Sequence, residues 1–463
     1  MDSPWDNENL VAVTERTNIR TLRYPGGTIG NYWDWDTGGL DKNVPDSLMI
    51  KWVVTNNLRE SKNRYTLENL AELYKKTGIT PVFMLNMLSK DLDHSIRNLK
   101  RAKAMGLPVK YVEMGNELYF NIPFPLLRFP TPEIYGETCQ EWIAALKKEF
   151  PDAQFAVVGT SMTRHPRQVD WNKRVLDKCN NADAITLHSY SPSGLDGRLE
   201  RRKTVPGSEG LGAQKTATRQ APKDITERQK WELELLKDQK AYTNMLTTAT
   251  KTLKKIDNFH IPDDMDLWVT EFNIRDDNSV VLHSWAQTLI LTEYYFKLLA
   301  SNARISSMHN LVGPLFGMVH TDTLSYAHLT LNEVSSTPHT LSAGGMASKL
   351  IGDAMKGMEK AAQMDFNTAP TLTDDRNENF PSVKGWMFAS GTEKRGIIVN
   401  FGFDEQILAL KGSTGSVDYF AGDPASPVIG FEHLDRTSNN FQEAVRLPPH
   451  SISIVHFDHQ YEK

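Results

Sequence analysis

The chain has 463 residues, 40% of them hydrophobic and 24% charged, with a formal net charge of −5. That balance suits a globular protein longer than one ordinary domain, and the acid excess argues against nucleic acid as a partner. No apolar run approaches the roughly 18 residues of a membrane span, so no membrane association is expected.

Strand and helix patterns alternate over about the first 310 residues. Glu8–Thr17 reads as a helix and Ile19–Tyr24 as a strand, followed by a loop carrying Pro25, Gly26 and Gly27. Leu67–Thr77 has helical periodicity and ends at Gly78, a common helix stop. Thr80–Met87, Val109–Met114, Gln154–Val158, Ala184–His188, Asp266–Thr270 and Ile305–His309 read as further strands. Between them lie helices at Leu92–Met105, Thr131–Phe150, around Val169–Cys179, across about Thr226–Ile256, and at Leu282–Leu299. Strands alternating with helices of this length indicate a parallel sheet with crossover helices. Cys139 and Cys179 fit no metal-ligand pattern.

The expected fold is a (β/α)8 TIM barrel over residues 1–340, with its first strand missing at the N-terminus, since nothing strand-like precedes Glu8–Thr17. An upstream strand lost with the N-terminus is preferred to a native seven-stranded barrel, because open strand edges are usually avoided. The compartment then depends on that segment: secreted or periplasmic if a signal peptide was lost with it, otherwise cytoplasmic. Residues 341–463 change pattern. The helix Ser342–Met358 precedes short strands at Val383–Ala389, Gly396–Phe401, Gln406–Leu410, Ser416–Phe420, Phe441–Val445 and Ser451–Phe457, the pattern of a C-terminal β-sandwich. The polar stretch Asn367–Asn379 is expected on an exposed loop.

Two strands end in glutamates. Tyr111–Met114 runs into Gly115-Asn116-Glu117, and Leu267–Val269 runs into Thr270-Glu271. Barrel chemistry sits at the C-terminal ends of strands, and a retaining glycosidase needs two carboxyl groups about 5 Å apart there. Neither a metal nor an organic cofactor is called for.

At these residues the chain resembles the retaining (β/α)8 glycosidases of glycoside hydrolase clan A. Arg23-Tyr24-Pro25-Gly26-Gly27, with Asn31-Tyr32-Trp33-Asp34-Trp35 behind it, is similar to the Arg-Trp-Pro-Gly-Gly segment of family 51 arabinofuranosidases and to its counterpart in heparanase-like family 79 glucuronidases. Gly115-Asn116-Glu117 resembles the clan's acid/base motif, and Thr270-Glu271 its nucleophile motif. Leu187-His188-Ser189-Tyr190 is similar to the His-x-Tyr of the sixth strand, and Leu447–Ser453 to the closing strand of the C-terminal sandwich. Tyr24 departs from the family 51 pattern, which has Trp there.

The resemblance implies that Glu117 is the general acid and then the general base, and that Glu271 is the nucleophile. It also implies that Asn116 holds the hydroxyl beside the anomeric carbon, while Arg23 and Tyr190 fix Glu271. His188, Asn31, Trp33 and Trp35 complete the expected substrate-binding set, the two indoles as a stacking platform. Each has a plainer alternative: Trp33 and Trp35 as core, His188 as a satisfied interior histidine, Asn31 as a turn residue. By period-two alternation Glu113 shares a face with Glu117 and is read as a buried structural carboxylate that could pair with Arg23.

The expected partner is a carbohydrate. Arg198, Arg201, Arg202, Lys203, Lys215, Arg219 and Lys223 outnumber Glu200 and Glu209 in Ser191–Thr226, a stretch that should overhang the rim. A basic lid of that kind would suit an acidic or sulfated polysaccharide; a solvated loop is the alternative. A catalytically silent carbohydrate-binding protein on the same barrel, or a transglycosylase using the same residues, remains open beside hydrolysis.

Overall fold

The computed structural model describes residues 5, 7–60, 64–198, 218–259, 261–275, 279–312, 316–320, 339–366, 369–431 and 434–458. Much of the stretch read as a basic lid, including Glu200, Arg201, Arg202, Lys203, Glu209 and Lys215, lies outside them.

Seven parallel strands form the barrel wall: β1 (Thr21–Tyr24), β2 (Thr80–Met84), β3 (Tyr111–Glu113), β4 (Gln154–Val158), β5 (Ala184–Ser191), β6 (Asp266–Ile274) and β7 (Ala303–Met308). They are hydrogen-bonded in chain order from β1 to β7. Among the described residues β1 pairs only with β2, and β7 only with β6, so the wall is nearly closed and open along one side. The helix Glu8–Arg16, α1, precedes β1 as the sequence suggests.

Side-chain alternation divides the barrel into a floor and a rim. Val82, Tyr111, Ala156, Ala184, Trp268 and Ile305, one from each of β2 to β7, form a separate buried cluster inside the wall. Large and small residues interleave there, with Tyr111 and Trp268 meeting edge to face at 5.5 Å. These side chains fill the barrel interior below the rim. Outside the wall the helices pack by their apolar faces. In Leu67–Thr77, α2, those residues are Leu67, Leu70, Ala71 and Leu73. Thr66 and Asn69 form its capping box, and Gly78 ends it in a left-handed conformation at φ 68°, which a residue without Cβ adopts freely.

Several boundaries differ from the sequence reading, each for a local reason. The single helix expected over Thr226–Ile256 is two, Ile225–Lys237 and Gln239–Asp257, broken at Asp238. Asp238 takes an extended conformation there and caps the second helix through the Ala241 N–H. The expected helix at Leu282–Leu299 starts at Trp285, after Ser284. β5 and β6 run past the expected ends to Ser191 and Ile274, so Glu271 lies within its strand, beside a register shift.

Beside a two-stranded pairing of Thr371–Thr373 with Asn379–Pro381, the C-terminal region forms a six-stranded antiparallel sheet. Its strands are β8 (Lys360–Gln363), β9 (Val383–Ser390), β10 (Glu393–Asn400), β11 (Gln406–Ala421), β12 (Asp435–Leu447) and β13 (Ser451–Phe457), in the order 8-9-10-13-11-12. The two strands expected at Gln406–Leu410 and Ser416–Phe420 are the ends of β11, joined through a register shift between Ala409 and Thr414. One face, including Phe388, Ile397, Val399 and Ile452, belongs to the same apolar core as the barrel helices. The Trp285 indole N–H donates to the His450 carbonyl at 2.6 Å across that junction. Of the stretch expected as an exposed loop, Asn367–Asn379, the described residues 369–379 are not simply exposed. Asp374 is buried and accepts from Thr247 Oγ1 at 2.7 Å, and Arg376 donates to the same carboxylate.

Candidate active site

The rim gathers its polar residues from β1, β3, β5 and β6 and the turns after β3 and β7. Glu117 follows β3 by a sharp turn in which Gly115 has φ 96° and Glu117 itself φ 46°. A side chain at Gly115 would meet Leu118 Cδ1 at 2.6 Å, so the turn requires glycine. Asn31 fixes the same turn from the loop after β1. Its amide donates to the Asn116 carbonyl at 2.7 Å, and its carbonyl oxygen accepts from the Asn116 N–H at 3.1 Å. Asn31 is thus a buried positioning residue. A non-glycine residue in the left-handed region is strained by about 1–3 kcal/mol and persists where its surroundings fix it.

Glu117 and Glu271 face each other across this rim. A carboxylate oxygen of each, and a ring nitrogen of His188, all lie within 4.8 Å of one another. His188 Nδ1 is 3.0 Å from Glu117 Oε1 and 3.5 Å from Glu271 Oε2. Tyr119, which sequence reasoning missed, donates its hydroxyl to Glu117 Oε1 at 3.0 Å. The environments of the two carboxylates differ. Glu271 accepts from Arg23 Nη1 at 2.6 Å and from the Tyr190 hydroxyl at 2.6 Å, and 6% of its side chain is exposed. Glu117 receives no guanidinium and is 15% exposed.

Burial by itself would raise the pKa of Glu271, but the positive charges of His188, His309 and Arg23 and the Tyr190 hydrogen bond overcome it and hold the carboxyl well below the usual range. Burial likewise opposes the charged form of His188, yet the two carboxylates win and its pKa is raised. For His309, 3.8 Å from Glu271 Oε2, burial prevails and the pKa is lowered. Near neutral pH Arg23 is therefore the permanent cation beside Glu271.

Arg23 is held in turn by Glu113. Its Nε donates to Glu113 Oε2 at 2.7 Å and its Nη2 to Asn116 Oδ1 at 2.9 Å. The guanidinium thus spans both carboxylates, joining the two expectations for Arg23. Glu113 is fully buried and serves as the anchor. The Asn116 carboxamide nitrogen is buried without a partner among the described residues, a donor available to a sugar hydroxyl. Trp33 and Trp35 are 1% and 2% exposed. They pack against Tyr24, and Trp35 also against Phe83, so both lie in the core beneath the rim. Trp33 still touches the border of the cavity that holds Glu117 and Glu271, whereas Trp35 does not.

The Glu117–His188–Glu271 cluster could in principle hold a cation. However, Arg23 and Tyr190 already donate to both Glu271 oxygens, and His188 favours its protonated form. That donor set suits a sugar hydroxyl and an anomeric carbon better than a metal ion.

A cavity of about 1280 Å³ opens onto both carboxylates and extends along the open side of the barrel between β1 and β7. His309 and Phe316 border it beside Tyr190, two further residues not foreseen from sequence. Of the cations expected in the lid, Arg198 is ion-paired with Asp196, and Arg219 with Asp375 and Asp238.

No family model matches the chain. Among curated proteins it is similar to the intracellular exo-α-(1→5)-L-arabinofuranosidase 1 of Bacillus subtilis, 23% identical over 208 residues, or 41% of this chain and 40% of that one. The chain therefore matches less than half the length of such relatives. The solved family 51 arabinofuranosidase of Xanthomonas axonopodis pv. citri superimposes with a TM-score of 0.66 at 14% identity, covering 99% of this chain and 92% of that one. An α-L-arabinofuranosidase of Thermotoga maritima does so with a TM-score of 0.62 at 17% identity, covering 98% and 92%. The chain has the barrel-plus-sheet fold of the family 51 glycoside hydrolases.

Proposed function

We propose that the protein is a retaining O-glycoside hydrolase, with Glu117 as acid/base and Glu271 as nucleophile. The observation that carries this reading is that one carboxylate oxygen of Glu117 and one of Glu271 lie within 4.8 Å of each other. That nearest approach supports the carboxyl separation of retaining enzymes, about 5–5.5 Å, over the about 6.5–9.5 Å that inverting enzymes leave for a water. The asymmetry of the pair assigns the roles. Glu271, held ionised by Arg23 and Tyr190, attacks the anomeric carbon and forms a glycosyl ester. Glu117 gives its proton to the departing oxygen. It then takes a proton from the water that cleaves the ester, while His188 and Tyr119 hold its carboxyl in place.

The curated relatives make an α-L-arabinofuranoside the first glycone to test. The test is mass spectrometry of the intact protein after incubation with activated 2-fluoro glycosides of arabinofuranose, xylose, galactose and glucuronic acid. An adduct of one glycosyl unit on Glu271, absent from Glu271→Ala, is the expected result. Folded protein that gains no adduct from any of them would favour a carbohydrate-binding protein on the same barrel.

A further inference from the structure

Arg275 is the last residue of the nucleophile strand's rim, and the mechanism above leaves it without a task. Its backbone N–H donates to the Ser191 carbonyl at 2.8 Å, continuing the β5–β6 pairing one residue beyond Ile274. Period-two alternation puts residues 271, 273 and 275 on one face, and Arg275 borders the same cavity as Glu117 and Glu271. Its guanidinium carbon lies 5.8 Å from the centre of the Tyr190 ring, the ring whose hydroxyl holds Glu271.

Among the described residues no carboxylate pairs with Arg275, and its Nε is buried with no hydrogen-bond partner. Arg23, by contrast, is neutralised by Glu113 and Glu271. A guanidinium with a buried, unsatisfied N–H is unfavourable unless something completes it. The planar fork matches a carboxylate in two parallel hydrogen bonds.

The wider cavity has the same bias. Its described lining includes Arg20, Arg23, Lys51, Arg275, Arg304 and Lys356 against the carboxylates of Glu117 and Glu271 alone, in a chain of net charge −5. Arg20 and Arg304 belong to the far end, along the open side of the barrel. Lys51 and Arg275 belong to the catalytic end. A cleft that concentrates positive charge in an acidic protein attracts anions.

We propose that Arg275 is a specificity-determining residue that receives the carboxylate of a uronosyl residue at or next to the cleaved bond. This deepens the glycosidase reading and rests on it for the word substrate, but the binding claim can be tested apart from turnover. The probes are uronate-containing oligosaccharides and the same oligosaccharides after carboxyl reduction, titrated calorimetrically into the Glu271→Gln protein with and without Arg275→Gln or Arg275→Lys. Sulfated neutral oligosaccharides form a third arm.

The expected result is binding of the acidic form about 10- to 100-fold tighter than the reduced form, the range of a charge-assisted hydrogen bond. Arg275→Gln should erase that preference, Arg275→Lys should restore part of it, and binding should weaken as salt rises. Equal binding of acidic and reduced forms, no binding of either, or a preference that survives Arg275→Gln would each overturn the inference. Tighter binding of the sulfated arm than of the uronate arm would overturn the carboxylate assignment. A glycosyl adduct on Glu271 together with equal binding of the acidic and reduced oligosaccharides would leave the glycosidase standing and the inference refuted. Arg275-dependent uronate binding without any adduct would do the reverse.

Discussion

The Tyr190 hydroxyl donates to Glu271 Oε2 at 2.6 Å, while Arg23 takes the other oxygen at the same distance. One partner is neutral and the other charged, and this difference decides what each contributes. Burial and the nearby carboxylates raise the Tyr190 phenol well above its usual range, so it stays a donor throughout the working pH range. Through Tyr190 the nucleophile is also tied to β5, the strand that carries His188.

Tyr190→Phe removes one charge-assisted hydrogen bond from the nucleophile and leaves the ring in place. Such a bond contributes about 1.5–3 kcal/mol, so kcat/KM should fall about 10- to 150-fold. The accompanying sign is the acid limb of the pH–rate profile, which should move up as Glu271 loses a partner that favours its ionised form. An unchanged acid limb would remove Tyr190 from the account.

Glu117→Ala should abolish cleavage of glycosides with poor leaving groups. It should spare the first step for dinitrophenyl glycosides, which need no proton. Added azide should then restore turnover and yield a glycosyl azide, because a small anion can occupy the vacated space and attack the ester. Glu113→Ala is the control. Azide rescue there instead would exchange the roles given to these two glutamates.

Glu113→Gln bears on stability. Arg23 and Glu113 are 7% and 0% exposed, and removing one partner of a buried pair costs about 3–5 kcal/mol. The denaturant midpoint should drop accordingly, with loss of activity because Arg23 no longer presents Nη1 to Glu271. A near-native midpoint would mean that the guanidinium finds another buried partner.

Much of this arrangement is legible in the sequence, and the reasons for the rest are physical. Glu117 follows a strand end, and Glu271, Arg23, His188 and Tyr190 fall in short motifs marked by their resemblance to known glycosidases, although Glu271 and His188 lie inside strands longer than expected. Tyr119 carries no such mark, because the turn after β3 brings it in, and His309 closes the expected strand Ile305–His309 but falls in no short motif. Arg275 could have been found by extending the alternation from Glu271 by four residues, but the strand was expected to stop at Thr270. Trp33 and Trp35 look like sugar platforms in a sequence, since an indole suits a pyranose face and a protein core equally. Only burial separates those uses. Helix bounds failed where a single polar residue such as Asp238 caps a helix inside a continuous periodic run.

Trp35 gives a direct test of that separation. A core indole replaced by Ala costs about 3–5 kcal/mol, and Trp35→Ala should lower the unfolding free energy by that amount with KM little changed. A stacking residue would show the opposite, a raised KM with stability intact.

The pH dependence of stability follows from the shifts at Glu271 and His188, which act at opposite ends. Glu271 has a folded pKa below its unfolded value of about 4.3. Its contribution is present above that value and is lost as pH falls toward the folded pKa. His188 has a folded pKa above its unfolded value of about 6.5. Its contribution is present below about 6.5 and is lost as pH rises through the folded pKa. Between these limits both terms are present, so chemical denaturation should show a plateau of stability at mildly acid pH with a decline on either side. His188→Gln should flatten the alkaline decline and shrink the acid one, because the His188 charge also helps to hold Glu271 ionised. If the alkaline decline survived that substitution unchanged, the charge on His188 would not be what the two carboxylates hold.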